Sequence, residues 1–493
     1  MANACGHVIS LPILSFSKTE RIFSSSIVTI VHILGDRVYH VSKITSPGFR
    51  GTGPVRIALV HSRQDPGGRT IRHHIDDLLS RPGSSLQFPL CRHELSFHEV
   101  GERLVYQDRL DLALDADLIF FLSRHSSIKP VPVLTVHVTG NTGPAQLGGK
   151  PSSLAKAAPQ WMHAILRRLT DHAPPGYRVS YEVTHHGPTE LDIPSLFVEI
   201  GSTECEWTDP RAGEAVARSV LSAEPFSTIS LAGIGGTHYA RRETEIAQRS
   251  RAAFGHIVHT RETGCIDREM LQKLVQMSSA DAVYIDRKAL TPDEVSRLDR
   301  LASEAGIPRL TETEILLMKD LSWDTWKRIR ELARSIDPRA EVHNTGTVAD
   351  GTPVAIDLPH DLIREANLVD PAGFAEALGR LPAIVLTTSR TPILPVFIAT
   401  GENSSVVLND LISLCVTTIS RGENTAIEGN QLIIRKMKFD PDRARSLGVP
   451  VGPRFGDLMR GISVIVDGRE ITPDMVRICE ETYIQIPGLE KKR

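Results

Sequence analysis

Leu196-Phe197-Val198-Glu199-Ile200-Gly201-Ser202-Thr203-Glu204 is a short apolar run that breaks off into a carboxylate, a glycine and two hydroxyls. The run has the length of a buried strand, and the polar tail falls where a strand would end. Working outward, four more stretches repeat this design. Ile119–Leu122 ends in Ser123-Arg124-His125, and Val131–Val136 ends in His137-Val138-Thr139-Gly140-Asn141. Val179–Val183 ends in Thr184-His185-His186-Gly187-Pro188, and Ile229–Leu231 ends in Gly233-Ile234-Gly235-Gly236-Thr237-His238-Tyr239. Open parallel sheets bind ligands at the carboxyl ends of their strands. The repetition therefore predicts one shared site built from several strand ends.

Between these runs lie segments of helical period. Gly68–Leu79 and Ser153–Thr170 are amphipathic, and Asp209-Pro210 opens a helix to about Leu221 with Asp as cap and Pro in the first turn. Val55–Val60 reads as the first buried strand, and Gly255–His259 and Ala282–Asp286 as the last. Alternating strands and helices predict an α/β fold with a doubly wound, mostly parallel sheet over 55–289. Residues 1–54 end in the turn-rich Ser46-Pro47-Gly48-Phe49-Arg50-Gly51-Thr52-Gly53-Pro54 and read as an N-terminal extension and linker. Thr291-Pro292-Asp293-Glu294 is a capping box, after which the pattern changes. A C-terminal α+β domain is expected over 290–493.

The 493 residues are 41% hydrophobic and 23% charged, as in globular proteins that bury a core without crosslinks. Six scattered cysteines with no Cys-x-x-Cys argue against a disulfide framework and a zinc ribbon. No apolar run reaches the ~18 residues of a membrane helix, and a cytoplasmic protein is expected. The net charge of −3 excludes polyanion binding by bulk charge, so any nucleic-acid contact must be local. One such patch is Ile433–Arg460, where Arg435, Lys436, Lys438, Arg443, Arg445, Arg454 and Arg460 outnumber Asp440, Asp442 and Asp457. It reads as a phosphate-backbone contact or as a mixed solvated surface.

His185-His186 is the densest chemical cluster. Neighbours on a strand point to opposite faces, so both reach one site only if the chain turns at Gly187-Pro188. The pair is then a metal site or a general acid/base; otherwise one histidine is buried and the other faces solvent. With His125, His137 and His238, and with Glu182, Glu199 and Glu204, it supplies N and O donors suited to zinc. No His-Glu-x-x-His is present. Gly233–Thr237 reads as a glycine-rich phosphate or carboxylate loop, or simply as a tight turn. No Gly-x-Ser-x-Gly elbow occurs, which makes water the better nucleophile than serine.

Taken in order, Val60–Asp65, Ser123-Arg124-His125-Ser126, Val136–Asn141, Glu182–Thr189, Phe197–Thr203, Gly233–Ala240 and Gly255-His256 resemble the D-aminoacyl-tRNA deacylases of the archaeal and plant type. The likeness covers about Val55–Asp286. It departs at Asp65-Pro66-Gly67, where the family carries a small residue such as Ala before the glycine. The resemblance implies a fold similar to peptidyl-tRNA hydrolase and nucleoside phosphorylases, a zinc cofactor, and hydrolysis of the ester between a D-amino acid and tRNA. Leu447–Leu458 and Val466–Ile471 also resemble a segment of tRNase Z, without that enzyme's metal-binding His-x-His-x-Asp-His. A tRNA-facing or structural element is the modest implication.

These readings set the expectations. His185, His186, Glu199 and His238 are the catalytic candidates, with His186, Glu199 and His238 as the metal ligands for Zn2+. Ser123, His125, His137, Asn141, Gly235, Gly236 and Thr237 are expected to bind the substrate. L-amino acids would be rejected sterically. The acceptor stem of tRNA would lie over a basic patch, and a monomer is expected. The alternatives are a nucleoside phosphorylase-like enzyme and a non-catalytic tRNA-binding module.

Overall fold

The computed structural model describes residues 54–486 apart from 129, 320 and 345–347, together with the backbone of 28–34 and 37–43. Those last two segments pair as antiparallel strands. The rest of the expected extension over 1–54 lies outside the described residues.

The first sheet has six strands: β1 (Arg56–Ser62), β2 (Glu94–Val100), β3 (Leu118–Arg124), β4 (Val133–His137), β5 (Arg178–Tyr181) and β6 (Ser195–Gly201). Their order is β2-β1-β3-β6-β4-β5. β1, β2, β3 and β6 run parallel, whereas β4 lies antiparallel to β6 and parallel to β5. Side chains alternate across the sheet with period two. Leu196, Val198 and Ile200 point toward a core shared with helices α1 (Pro66–Ser80), α2 (Pro159–His172) and α3 (Pro210–Leu221). Phe197 points the other way and packs with Val60, Phe121, Leu104 and Leu191. Glu199 shares that second face, which is covered by loops and short 3-10 turns rather than α-helices. The sheet is mostly parallel, as expected, but the expectation that it is doubly wound is corrected here: α-helices cover one face only.

The second sheet, β8-β7-β9-β10, is built from β7 (Ile229–Gly236), β8 (Ala252–His259), β9 (Ala282–Ile285) and β10 (Arg309–Leu310), all parallel. Here helices do cover both faces. Ile246 and Ala247 of α4 (Arg241–Arg249) join Leu231 and Phe254 on one side. On the other, α5 (Arg268–Met277) and α6 (Pro292–Glu304) pack on Ala232, Ile234, Val258 and Val283. α6 begins with the expected capping box of Thr291 and Glu294. The α/β body thus runs on to Leu310, past the boundary expected at 289, because β10 completes its second sheet.

The segment after β5 joins the two sheets. Val183 N–H donates to His238 O at 3.1 Å and Thr184 N–H to Ile257 O at 2.7 Å. Buried His256 braces this seam from Thr184 Oγ1 (2.9 Å) to Ala155 O (2.8 Å). Burial keeps His256 neutral, its pKa lowered to about 4. The expected helix over 153–170 begins only at Pro159, because Ser153–Leu154 pairs instead with Gly140–Asn141.

Beyond residue 310 the structure is mixed α and β. An antiparallel four-stranded sheet (341–344, 384–387, 396–400, 353–357) is followed by an antiparallel three-stranded one (424–428, 431–439, 477–485). The tRNase Z-like segment forms a small unit. Helix Pro453–Met459 and hairpin Val464–Val466/Arg469–Ile471 bury Val449, Leu458, Val464, Val466 and Ile471 together. Its turn, Asp467-Gly468, has positive φ at both residues, which suits a two-residue hairpin. No helix among the described residues is long and apolar enough to cross a membrane.

Candidate active site

Because β4 and β5 run against β3 and β6, strand ends arrive from both directions and meet over the helix-free face. Glu199, inside β6, aligns with Ser123 of β3 and Thr135 of β4. His137, at the end of β4, aligns with Phe197 and stacks on it. His125 follows β3, Glu182 follows β5, and His238 follows β7 by two residues. His185 and His186 both reach the site because the chain does turn: His186 adopts φ +45. Gly187 permits that turn, since a Cβ there would lie 2.3 Å from Gly149 N and 2.5 Å from Val105 O.

The groups converge closely. His125 Nδ1 lies 3.1 Å from Glu182 Oε1 and 3.7 Å from Glu199 Oε2. His137 Nε2 is 3.6 Å from Glu199 Oε2, and Glu182 Oε2 faces His185 Nε2 at 3.5 Å and His238 Nε2 at 3.4 Å. The His137 and His185 rings stack at 4.7 Å. A cavity of about 310 Å3 opens onto His125, His185, His186, Glu199 and His238, with Ser123 and Asp65 beside them. Its rim carries Gln64, Arg103, Leu104, Val105, Arg124 and Leu147.

Electrostatics divides the imidazoles. Burial opposes charge on His125, but Glu182 and Glu199 overcome it and hold its pKa up at about 11. Glu199 likewise keeps buried His137 raised. His185 is pushed well below its usual range by burial and by its neighbours His186 and His137. Burial and His137 bring His186 down to about 3. His238, only partly buried, is also lowered by desolvation. Glu182 is held ionised, its burial outweighed by His125 above all.

The donor set fits a cation. Backbone carbonyls fix the protons of two imidazoles: His185 Nδ1 donates to Val183 O at 2.7 Å and His186 Nδ1 to Gly187 O at 2.6 Å. Each neutral ring then presents a bare Nε2. Metal-ligating histidines are oriented by carbonyls in this way. Among the described residues, both oxygens of fully buried Glu182 and Nε2 of His137 find no hydrogen bond. Buried polar atoms without partners are uncommon and call for an explanation. The potential ligand atoms fall within 4.8 Å in three groups: His137 with His185 and His186; His125 with Glu182 and His238; and His137 with Glu182 and Glu199. The expected ligands His186, Glu199 and His238 are thus divided among all three groups. Glu182, named among the possible donors but not among the three expected ligands, stands in two of them. Its position one residue past a strand end was the available signal.

Not every expected residue reaches the cavity. Gly235 and Gly236 belong to β7, and their carbonyls accept from Thr260 Oγ1 at 2.9 and 3.0 Å. They line no part of the pocket, and Thr237 beyond them is exposed. The glycine run is therefore strand and turn, outside this cavity. Asn141 supports the rim instead: its Nδ2 donates to Gly148 O and Lys150 O, both at 3.1 Å, and so holds the loop that carries Leu147. Asp65 caps α1 through Gly68 N (3.0 Å) and accepts from Ser123 Oγ (3.0 Å) and Arg124 N (3.1 Å). Glu204 sits on the short helix Glu204–Trp207, exposed and away from the cavity.

An α/β scaffold whose buried imidazoles and carboxylates open onto one small cavity is the equipment of a hydrolase. Sequence comparison narrows that class. A family model for D-aminoacyl-tRNA deacylase matches residues 112–310. The chain is 49% identical over 438 residues to the D-aminoacyl-tRNA deacylase of Methanoculleus marisnigri, covering 89% of this chain and 100% of that one. It is 49% identical over 437 residues to the protein of that name from Methanoregula boonei (88% and 99% covered) and 33% identical over 377 to that of Natronomonas pharaonis (74% and 83%). A solved structure described as a conserved protein of unknown function shares 35% identity at a TM-score of 0.49, over 54% of this chain and 98% of the other. The chain belongs to the D-aminoacyl-tRNA deacylase family.

Proposed function

We propose that this protein hydrolyses the ester joining a D-amino acid to the 3′ end of tRNA, releasing free tRNA and the D-amino acid. The reaction removes D-amino acids from translation. The observation that carries the reading is the meeting of His125, Glu199, His185, His186 and His238 at one cavity, with buried Glu182 behind them, in a chain whose relatives bear that name.

The cavity, at about 310 Å3, admits an aminoacyl ester but not a duplex stem. Arg103 and Arg124 on its rim make no ion pair among the described residues; Arg124 lies over the Trp207 ring at 4.8 Å and Arg103 over Tyr106 at 5.8 Å. They suit the phosphodiester of the terminal nucleotide. Zn2+ is the cofactor we assign; His137, His185 and His186 would hold it, with Glu182 beside His185. When bound, it lowers the pKa of water and polarises a carbonyl. His238 stands at the cavity wall with its pKa lowered, so at neutral pH it is a free base that can take the proton of the attacking water. His125, charged between Glu182 and Glu199, keeps both carboxylates ionised. Water adds to the ester carbonyl, the bond to the ribose oxygen breaks, and that oxygen leaves as a hydroxyl with the proton. The apolar wall of Leu104, Val105 and Leu147 is our candidate for the steric rejection of L-side chains.

The same reading makes the protein cytoplasmic and monomeric, and its fold a relative of the peptidyl-tRNA hydrolases and nucleoside phosphorylases. The free thiols of Cys205, Cys265, Cys415 and Cys479 support a reducing compartment. Release of D-tyrosine and L-tyrosine from charged tRNA tests the activity. Faster cleavage of the D-ester is expected; if neither ester is cleaved faster than in buffer, the assignment fails.

A further inference from the structure

A second concavity, about 620 Å3, lies away from the catalytic cavity. Its walls carry Arg167, Arg168, Arg249, Arg251 and Lys319 against only Asp171 and Glu224. Both carboxylates are already engaged, Asp171 by Arg168 at 3.3 Å and Glu224 by Arg92. Among the described residues, Arg249 and Lys319 make no ion pair, and Arg167 has only the Phe226 ring at 5.7 Å. Arg251 Nη1 is buried without a hydrogen bond, 3.8 Å from Asp350. Cations left unpaired in one groove hold an unspent attraction for anions.

The contrast with the patch at 433–460 is direct. There Arg435 meets Glu481 at 2.8 Å, Lys436 meets Glu365 at 2.5 Å, Arg460 meets Asp457 at 2.6 Å, and Lys438 pairs with Glu480. Carboxylates from neighbouring elements cancel most of the charge that the sequence concentrates. The groove keeps its charge.

Its position is also fixed. Ile229 N–H, at the start of β7, donates to Arg251 O at 2.9 Å. β7 then runs eight residues to Gly236, two before His238. At roughly 3.3 Å per residue, the groove lies on the order of 25 Å from the catalytic end of that strand. A ligand held at both places must be long and anionic.

We propose that this groove docks the sugar–phosphate backbone of the substrate RNA at a distance from its 3′ end. The proposal rests on the deacylase reading for its partner, but its main test does not need turnover. The double charge reversal Arg167→Glu/Arg249→Glu, on exposed positions, is compared with wild type in the full chain, with circular dichroism confirming the fold. Binding of uncharged tRNA is measured from about 50 to 200 mM salt. We expect weaker binding and a log–log salt slope shallower by roughly 0.9 for each phosphate that the variant no longer neutralises. With D-aminoacyl-tRNA, KM rises about tenfold at unchanged kcat, while hydrolysis of a D-aminoacyl-adenosine, which lacks the backbone, is unaffected. An unchanged tRNA affinity and slope overturns the proposal. So does a variant that loses inorganic tripolyphosphate or polyglutamate binding while keeping its tRNA affinity. If wild type cleaves no ester, the deacylase reading falls, and the tRNA salt slope still decides the groove.

Discussion

His185 Nε2 faces Glu182 Oε2 at 3.5 Å with no proton to share, because the ring's proton is committed to Val183 O through Nδ1. Two lone pairs directed at each other in a buried site repel unless a cation or a water bridges them. This contact makes Glu182 the residue on which the site turns.

Glu182→Gln keeps the shape and removes the charge. We expect kcat on D-aminoacyl-tRNA to fall about 10²-fold or more, with the fold retained by circular dichroism. The lost carboxylate also releases His125, whose raised pKa depends on it. Activity within a factor of two of wild type would show that the carboxylate has no part in the reaction.

Metal content gives a second check. If His137, His185 and His186 hold Zn2+, the purified protein carries near-stoichiometric zinc, and a chelator abolishes activity that added zinc restores. His186→Ala should lower bound zinc in parallel with activity. Full activity after exhaustive chelation rules out the cofactor assignment.

Gly201 tests how His125 is held. A Cβ at this position would come within 2.7 Å of His125 Cβ and 2.8 Å of its Cδ2. The ring cannot yield without leaving Glu182, so Gly201→Ala should cost about 1–3 kcal/mol of stability and lower kcat at least about tenfold. Gly264→Ala is the control, since nothing lies within 4 Å of its added carbon. Equal melting temperatures for the two variants would contradict the packing described.

Glu243 provides a pH signature outside the active site. It is fully buried with both oxygens unbonded, and burial, aided by the charge of Asp286, raises its pKa to about 7 from 4.5. The folded state therefore favours the protonated form. The associated stability is complete below pH 4.5 and is lost as pH rises through about 7. Glu243→Gln should match wild type near pH 4.5 and exceed it at about pH 8 by up to about 3 kcal/mol, read from urea denaturation. A difference that does not change with pH would count against an ionisable Glu243.

What the sequence determined by itself was local. Short continuous apolar runs located β1, β3, β4, β5, β6 and β7, and the polar tails behind them marked His125, His137, His185 and His238. Thr291 and Glu294 announced the start of α6, because a capping box is a contact between residues three apart. Glu94–Val100 went unread as an edge strand, because Leu95 and Phe97 alternate with polar residues and form no continuous apolar run.

Tertiary structure decided the rest. Alternation says which side of a strand a residue faces but not which way the strand runs. The reversal of β4 and β5, which brings His137 and Glu182 against Glu199 and His125, therefore could not be seen in the chain. The fate of charge was equally hidden. Arg435 and Lys438 are cancelled by Glu481 and Glu480, more than forty residues away in sequence, while Arg249 and Lys319 are left unpaired among the described residues, in a groove that no run of basic residues announces. Contacts between distant residues set both outcomes, since Coulomb energy depends on separation in space and not along the chain.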